Sequence, residues 1–339
     1  MAWTRPIHTK GEIQRAGLVL ADASAVDADR KAAIAIVNNW RSAHGFPLNT
    51  LTVNLRKRAT DVDANALVAQ RIKRLPSIVG KLQRFPSMNL ARMQDLGGCR
   101  AVMPEVQQVH EVVEGLMTGK HKHRLIRQDD YLTSPKGSGY RGVHLFYSYR
   151  SDRRQTWNNL AIEVQVRSQL QHAWATAVET VGLFTSQALK SSRGEDHWLR
   201  FFVVMSSVIA LRENLPVVPG TSDDPAQLRD ELQELASLLD VINRLEGYAA
   251  LLQESEQHMA NAKFVILTLD VPNSQLTIRG YVKQDDAAEA YAQMEAETGD
   301  GVDVVMVSVS SIAGLRTAYP NYFLDTTRFV SVLREALEL

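Results

Sequence analysis

The chain has 339 residues, of which 45% are apolar and 22% are charged, and its 38 basic side chains equal its 38 acidic ones in number. This composition is typical of a soluble globular protein with two domains, or with one domain and an appendage. Formal neutrality excludes attraction of nucleic acid by overall charge, so any such contact requires a local basic patch. The single cysteine, Cys99, excludes an intrachain disulfide framework and a cysteine-based zinc site.

The sequence shows neither a signal peptide nor a membrane segment. Residues 1–8 lack a continuous apolar stretch, and the most apolar run, 201–211, is too short to span a bilayer. We therefore expect a cytoplasmic protein in which that run forms a buried helix.

The first third of the chain contains patterns for helices and for one strand. Residues 28–43 predict an amphipathic helix that ends before the glycine and proline at positions 45 and 47. A basic triplet, 56–58, follows; it is most simply a solvated face, and the alternative is a phosphate-contacting role. Residues 67–74 alternate apolar and polar side chains as a strand does, which places Arg71 and Lys73 on one face.

A short helix is predicted directly after this strand. Pro76 lies near its first turn, and Lys81 is one turn beyond Ser77. Two cations on a strand, with more on the following helix, suit a triphosphate. The alternative is an exposed edge strand, on which basic side chains discourage aggregation.

The next segment joins a strand, a helix and a basic stretch. Residues 95–104 pass through a Gly-Gly joint into a strand that Pro104 ends, and residues 105–117 have the apolar stripe of a helix. The basic stretch 120–127, with Lys120, Lys122 and Arg124, either steers an anionic partner or is a solvated face.

Residues 129–144 predict a loop, because a proline and three small residues at positions 135–139 exclude a helix or a central strand. The loop carries Lys136, Tyr140 and His144, residue types that suit phosphate groups and an aromatic base. Loops of this composition are also common surface turns, so both interpretations stay open at this point.

Two strands that flank a polar turn, 143–150 and 160–167, predict an antiparallel hairpin. Glu163, Gln165 and Arg167 face away from the apolar side of the second strand, because the side-chain period of a strand is two. This row is either the wet face of a sheet or part of a metal-and-phosphate site.

The second half of the chain begins with helices. Residues 169–190 and 198–214 predict helices, 216–225 are a linker, and 226 to about 259 read as one long helical stretch. From residue 263 the pattern changes to a small α+β module. We therefore predict domains at residues 1–215 and 263–339, joined by a linker and helix at residues 216–262.

Five motifs, in this order, resemble the RelA/SpoT synthetase domain. They are Arg71-Ile-Lys73, Ser77 to Lys81, Asp95 to Arg100, Asp130 to His144, and Glu163 to Arg167. Each motif alone is weak evidence, whereas the ordered set over about residues 65–185 is strong. The resemblance implies an α/β (α+β) fold in which a mixed β-sheet with flanking helices is related to nucleotidyltransferases.

Members of this family transfer pyrophosphate from ATP to the 3′-hydroxyl of GDP or GTP and so make (p)ppGpp. By position, the resemblance implies that Asp95 and Glu163 hold Mg²⁺ and that Glu163 accepts the hydroxyl proton. The implied ATP-binding residues are Arg71 and Arg100 around the adenine, and Lys73, Ser77 and Lys81 near the phosphates. The implied acceptor-binding residues are Lys136, Tyr140, His144, Gln165 and Arg167.

The sequence departs from the family pattern at the acceptor end. Ser138 replaces a common Asn, and Gly142-Val143 replaces a common Ser-Leu pair before His144. These differences leave the identity of the acceptor open. The His-Asp metal cluster of alarmone hydrolases is not found upstream, so we do not expect the chain to degrade alarmones.

The C-terminal module, with Tyr319-Pro-Asn-Tyr322, resembles that of the fused toxin–antitoxin members of the family, the CapRel type. In these members the module is zinc-finger-like without zinc ligands, and Tyr319 and Tyr322 would block the ATP site until a phage protein binds. Their toxin domain pyrophosphorylates the 3′-CCA end of tRNA and stops translation. The ordinary alternative is a turn whose tyrosine rings pack on the following helix.

Three hypotheses follow. The first is a tRNA pyrophosphokinase for anti-phage defence, autoinhibited by its C-terminal domain, with Lys120, Lys122 and Arg124 in the tRNA-binding patch. The second is a small alarmone synthetase acting on GDP or GTP, whose tail is an oligomerisation or effector module. The third is a catalytically dead binding module, against which the presence of both Asp95 and Glu163 argues.

Overall fold

The computed structural model describes residues 3–185, 196–257, 261–297, 301–308, 315–316, 319–320 and 322–338. The helices are α1 (Lys10–Ala21), α2 (Asp27–Ala43), α3 (Gly45–Val62), α4 (Leu75–Arg84), α5 (Val106–Thr118), α6 (Gln169–Phe184), α7 (Asp196–Arg212), α8 (Pro225–Leu238), α9 (Val241–Leu251), α10 (Gln284–Glu297) and α11 (Thr327–Glu338). The strands are β1 (Leu67–Ile72), β2 (Gly97–Met103), β3 (Arg124–Asp130), β4 (Val143–Ser148), β5 (Ala161–Ser168), β6 (Gln253–Gln257), β7 (Phe264–Asp270), β8 (Gln275–Tyr281) and β9 (Val302–Ser308).

Helix boundaries agree with local capping chemistry. Thr9 and Ser168 form capping boxes at the starts of α1 and α6, which satisfy backbone N–H groups that have no partner inside the helix. The helix predicted for residues 28–43 is confirmed as α2, which ends at Ala43 before Gly45 and Pro47. A second helix, α3, then begins at Gly45, and Pro47 lies in its first turn, where the missing N–H removes no helical hydrogen bond.

The sheet of the first half has mixed strand directions. β2 pairs antiparallel with β1 and parallel with β5, while β4 pairs antiparallel with β5 and β3. The predicted hairpin of β4 and β5 is therefore confirmed, and Phe146 lies opposite Glu163. The basic stretch after α5 was not predicted as a strand, yet β3 forms there at the edge of the sheet.

The C-terminal strands extend the same sheet. β7 pairs antiparallel with β8 and β9, β6 pairs parallel with β8, and β9 lies beside β1 with Val307 opposite Arg71. The strand order is β3-β4-β5-β2-β1-β9-β7-β8-β6. The mixed α+β class predicted for the chain is thus observed, whereas the zinc-finger-like character of the module stays a prediction.

The predicted long helix from residue 226 to 259 is wrong. The chain turns at Asp240, whose φ of 50° is left-handed, so the segment forms α8, α9 and then β6. Residues 258–260 lie outside the described residues, as do residues 186–190 at the end of the helix predicted for 169–190.

Separate hydrophobic clusters hold the layers together. One packs α1, α2, α3 and α5 against β2 and β5. A second joins α6, α7 and α8 to α11, so that Phe329 and Leu333 of the last helix pack against the first half of the chain. In the described part of the chain, no helix combines the length and the apolar character needed to cross a membrane.

Candidate active site

Strands β1 to β5 line a cleft of about 730 Å³. Most of the site residues predicted from the sequence contribute to its wall: Arg71, Lys73, Lys81, Asp95, Arg100, Lys136, Tyr140, His144, Glu163, Gln165, Arg167 and Tyr319. Ser77 does not belong to the lining and lies partly buried on α4. The side-chain alternation of β5 places Glu163, Gln165 and Arg167 on the cleft side, as predicted.

Asp95 joins the two lysines of the β1–α4 segment. Its Oδ2 accepts hydrogen bonds from Lys81 Nζ at 2.7 Å and from Lys73 Nζ at 3.1 Å. Burial alone would raise the pKa of Asp95, but the charges of the two lysines outweigh it and lower that pKa below its usual value. Burial also lowers the pKa of Lys73, despite the carboxylate beside it. This group is therefore a poorly solvated cluster of two cations and one anion.

Glu163 is held by a chain of side chains from β4 and the loop before it. Its Oε1 lies 2.9 Å from His144 Nδ1, and His144 Nε2 lies 2.8 Å from the Tyr140 hydroxyl. Gln165 Nε2 donates to the other carboxylate oxygen, Oε2, at 2.8 Å. Burial would raise the pKa of Glu163, but the hydrogen bond and charge of His144 outweigh it, so the pKa is lowered and the carboxylate form is favoured.

Positive charge accumulates on the floor of the cleft. Burial, together with the like charges of Arg167 and Arg71, lowers the pKa of Arg100 to about 9. Arg167 is buried and pairs through Nη2 with His172 Nδ1. Crowded and poorly hydrated guanidinium groups of this kind suit anionic or planar aromatic ligands.

Hydrogen bonds to Ser206 of α7 and to Pro216 hold the loop between β3 and β4. Gly139 has a φ of 87°, and its carbonyl accepts a hydrogen bond from Ser206 Oγ at 2.6 Å. Buried Arg141 donates to Ser206 Oγ at 3.1 Å and to Pro216 O at 2.6 Å. The loop predicted from Gly, Pro and Ser content is thus an ordered wall of the cleft, with the Lys136 ammonium 4.2 Å from the centre of the Tyr131 ring.

The two C-terminal tyrosines differ in their surroundings. Tyr319 lines the cleft, and its hydroxyl donates to the Gln70 carbonyl at 2.5 Å. Tyr322 is 1% exposed, packs in the hydrophobic cluster of the C-terminal strands and does not belong to the cleft lining. Of the two residues predicted to block the ATP site, the structure therefore places Tyr319 at the cleft and Tyr322 in the neighbouring hydrophobic cluster, and the blocking role stays a prediction.

Several lining residues were not predicted as site residues. Among them are Glu179 on α6, Arg127 and Asp129 on β3, and Tyr131 and Phe146 on either side of the loop. Arg127 lies 4.2 Å from the centre of the Phe146 ring and pairs with Asp129 at 3.1 Å. Glu179 was detectable in principle, because it is the only acidic or basic residue besides His172 in a helix that is otherwise mostly apolar.

The predicted tRNA patch lies outside the cleft. Lys120, Lys122 and Arg124 are solvent exposed, and Lys122 pairs with Asp152. The second basic cluster, residues 56–58, approaches them, because the Arg58 Nη2 lies 2.9 Å from the position that a Cβ on Gly119 would take. Arg58 of this cluster therefore lies beside Gly119, the residue that directly precedes the basic stretch.

The cleft offers two carboxylates, Asp95 and Glu163, to a divalent cation that would take its remaining ligands from substrate and water. Among the described residues, no group of three or more His, Cys, Asp or Glu side chains is arranged for a metal ion. The buried Oδ1 of Asp95 has no hydrogen-bond partner in the described part of the chain. Gly98 leaves room beside Glu163, since an added Cβ would lie 3.8 Å from Oε2. This arrangement suits Mg²⁺, which takes few carboxylates and completes its shell with phosphate oxygens and water.

Residues 70–183 match the family model described as a region found in RelA / SpoT proteins. The GTP pyrophosphokinase YjbM of Bacillus subtilis is 29% identical over 111 residues, which are 32% of this chain and 52% of that protein. The GTP pyrophosphokinase YwaC of the same organism is 27% identical over 112 residues, 31% of this chain and 52% of that protein. The chain thus spans about half the length of these curated relatives, and the predicted RelA/SpoT resemblance is confirmed for this segment.

Solved structures give weaker similarity. A GTP pyrophosphokinase family protein from Streptococcus pneumoniae matches with a TM-score of 0.44 and 22% identity, covering 59% of this chain and 96% of that one. Small alarmone synthetase 1 from Bacillus subtilis, bound to its product pppGpp, matches with a TM-score of 0.39 and 20% identity, covering 60% and 93%.

Proposed function

We propose, from the RelA/SpoT region at residues 70–183 and the charged cleft that it lines, that the chain is an ATP-dependent pyrophosphokinase. It would transfer the β,γ-pyrophosphate of ATP to a 3′-hydroxyl. The observation that carries this proposal is the convergence of Lys73 and Lys81 on Asp95, in the same cleft as Glu163. Cations for a triphosphate and two carboxylates for its metal are the parts that phosphoryl transfer requires.

On the ATP side, Arg71 and Arg100 are proposed to stack on the adenine, with Lys73 and Lys81 at the phosphates. Ser77 stays a proposed ATP contact, one helical turn before Lys81. Asp95 and Glu163 would hold Mg²⁺, which when bound neutralises phosphate charge. The lysines would then exchange Asp95 for phosphate oxygens, so no buried cation loses its partner.

On the acceptor side, the 3′-oxygen would attack the β-phosphorus while the bond from that phosphorus to the α,β-bridging oxygen breaks. AMP leaves, and the hydroxyl proton passes to Glu163. The lowered pKa of Glu163, set by His144 against the effect of burial, supports its being ionised before the attack. Lys136, Tyr140, His144, Gln165 and Arg167 are the proposed acceptor contacts. Catalysis would be mainly positioning and charge neutralisation.

Two acceptors are supported by different observations. The 3′-CCA end of tRNA is supported by the adjoining basic surfaces at residues 56–58 and 120–124, where Arg58 approaches Gly119. Such transfer would stop translation, and with a phage protein as trigger it would serve anti-phage defence. GDP or GTP is supported by the names of the relatives, which are GTP pyrophosphokinases.

Autoinhibition by the C-terminal domain is the third part of the proposal. It is supported by Tyr319, which is 3% exposed and lines the cleft near Arg71 and Arg100. The rings of an adenine and of Tyr319 would compete for the same arginine side chains. A partner that withdraws the tyrosine would then activate the enzyme.

The test is transfer of label from γ-labelled ATP by the purified full chain and by its Tyr319→Ala variant, with GDP, GTP or deacylated tRNA as acceptor. We expect label on one acceptor class, faster in the variant, and none with Asp95→Asn. Label on tRNA alone would exclude the alarmone alternative, and label on GDP or GTP alone would exclude the tRNA hypothesis. A full chain and variant that neither bind ATP nor label any acceptor would contradict the proposal.

A further inference from the structure

A buried ion pair links the first helices of the chain to the C-terminal segment. Arg41, near the end of α2, is 2% exposed, and Glu295, on α10, is 9% exposed. Arg41 Nη1 donates to Glu295 Oε1 at 3.0 Å and Nη2 pairs with Oε2, so the contact is bidentate. Tyr291, one turn earlier on α10, donates its hydroxyl to Oε1 at 2.9 Å and places its ring under the guanidinium.

The same pair holds the turn between β1 and α4. Glu295 Oε1 accepts a hydrogen bond from the Leu75 amide at 2.7 Å, and Arg41 Nη1 donates to the Lys73 carbonyl at 3.3 Å. Leu75 is the first residue of α4, and a carboxylate is favourable at the positive end of a helix. The ion pair therefore contacts the backbone at both ends of this short turn, through Arg41 of α2 at Lys73 and through Glu295 of the C-terminal segment at Leu75.

This turn determines where the two phosphate-binding lysines meet. Lys73 is the first residue of the turn, because β1 ends at Ile72, and Lys81 lies on α4, which the turn orients. Both reach Oδ2 of Asp95, and the Lys73 amide also donates to the Leu96 carbonyl at 2.8 Å. A shift of the start of α4 would move Lys81 relative to Lys73 and Asp95.

We propose that Glu295 and Arg41 are positioning residues for the phosphate-binding end of the cleft. The inference rests on the proposed function for the role of Lys73 and Lys81 in binding ATP. It assigns two opposite actions to the C-terminal segment, since Tyr319 occupies the cleft while Glu295 holds the turn that shapes it. The active arrangement is one in which Tyr319 has withdrawn and Glu295 remains in place.

The two roles predict opposite signs for one substitution. If Glu295 only docked an inhibitory segment, Glu295→Gln would loosen that segment and strengthen ATP binding. As a positioning residue, Glu295→Gln weakens ATP binding, because a neutral amide is a poorer partner both for the buried Arg41 and for the Leu75 amide.

The experiment uses the full chain with Tyr319→Ala, which opens the cleft, and compares it with the same chain carrying Glu295→Gln as well. Titration calorimetry with MgATP measures affinity, and hydrogen exchange measures protection of the Leu75 amide. We expect Glu295→Gln to raise the Kd for ATP about tenfold, equivalent to about 1.4 kcal/mol, and to speed exchange at Leu75. An unchanged or lower Kd would overturn the proposal.

Glu231→Gln is a control at another bidentate ion pair, whose side chains are more exposed than those of Arg41 and Glu295. Glu231 forms a bidentate pair with Arg200 between α7 and α8, with contacts at 2.5 and 2.8 Å, far from the turn in sequence. We expect neither the Kd for ATP nor Leu75 exchange to change. Arg41→Lys, which keeps the charge but loses the bidentate contact, should give a smaller loss than Glu295→Gln.

The unmodified chain gives a measurement that does not depend on the folding of a variant. If Glu295 stays in place when ATP binds, we expect the Leu75 amide to remain protected from hydrogen exchange in protein saturated with MgATP. Faster exchange at Leu75 on adding ATP would overturn the inference, because ATP would then displace the contact. If none of the variants binds ATP, the proposed function itself is contradicted. If they bind ATP and Glu295→Gln leaves the Kd unchanged, only this inference is contradicted.

Discussion

The Tyr319 hydroxyl donates a hydrogen bond to the backbone carbonyl of Gln70 at 2.5 Å. This contact joins residues 249 positions apart and brings an aromatic ring from the C-terminal segment to the strand that carries Arg71. Burial raises the pKa of Tyr319 to about 12, although nearby Arg100 and Arg71 act in the opposite direction, so the hydroxyl stays protonated at neutral pH and acts as the donor. The ring therefore occupies the cleft as a neutral group beside arginines.

Replacement of Tyr319 and replacement of Tyr322 should have different effects, the first on ATP affinity and the second on stability. We expect Tyr319→Ala to raise ATP affinity about tenfold, a change of about 1.4 kcal/mol, because the cleft gains the space of the ring. Tyr322→Ala removes a ring from the core of the C-terminal strands and should lower the free energy of unfolding by about 3–5 kcal/mol. Titration calorimetry and chemical denaturation measure the two effects, and equal ATP affinities in both variants would contradict the distinction.

Gly139→Ala should destabilise the loop of the cleft. Gly139 has a positive φ of 87°, and an added Cβ would lie 3.0 Å from both Ser206 Cβ and Trp174 Cζ2. We expect a loss of about 1–3 kcal/mol in the free energy of unfolding. Gly137→Ala is the control in the same loop, because no atom lies within 4 Å of its added Cβ, and it should change stability by less than about 0.5 kcal/mol. Similar losses for both variants would refute this explanation.

His44 should make stability fall between pH 6.5 and 4. Burial lowers its pKa from 6.5 to about 4 in the folded state, although its Nδ1 contacts the Trp40 carbonyl at 2.8 Å. Because the unfolded state binds the proton first as the pH falls, the protein loses stability through this window, by up to about 3 kcal/mol. Denaturant titrations across this range check the slope. His44→Gln removes the titrating group and should give a shallower dependence, and an equal slope would exclude His44 as the cause.

The basic surface should affect transfer to tRNA and leave ATP binding unchanged. Joint replacement of Lys120, Lys122 and Arg124 by Ala is expected to reduce tRNA labelling at least about tenfold, since each lost phosphate contact weakens binding. Asp152→Ala should have the opposite effect, because it removes the ion-pair partner of Lys122 and should strengthen tRNA binding at low salt. Undiminished labelling by the triple variant would remove this surface from the tRNA hypothesis.

Several features of the site could be predicted because they depend only on short-range geometry. The side-chain period of a strand places Glu163, Gln165 and Arg167 on one face of β5 whatever lies beyond it. The glycines and proline of the loop exclude regular structure at any position in a fold. The order of the RelA/SpoT motifs then indicated that these segments share one cleft.

Local patterns failed where longer-range packing decided the outcome. Asp240 in a left-handed conformation divides the predicted long helix, and β6 then forms because β8 offers an edge to pair with. The basic stretch that begins β3 gave no strand pattern, but pairing with β4 makes it one. Propensity and periodicity are weak compared with the hydrogen bonds and buried surface that a neighbouring element supplies.

By itself, then, the sequence determined the chemistry of each segment: which side chains share a strand face, which loop is irregular, and which charges could hold a triphosphate. Only the tertiary structure decided that β9 lies beside β1, that Tyr319 enters the cleft instead of Tyr322, and that Glu295 holds the turn before α4. The physical reason is that a residue's direction follows from the local backbone, whereas contacts across more than 200 residues depend on how all the layers pack at once.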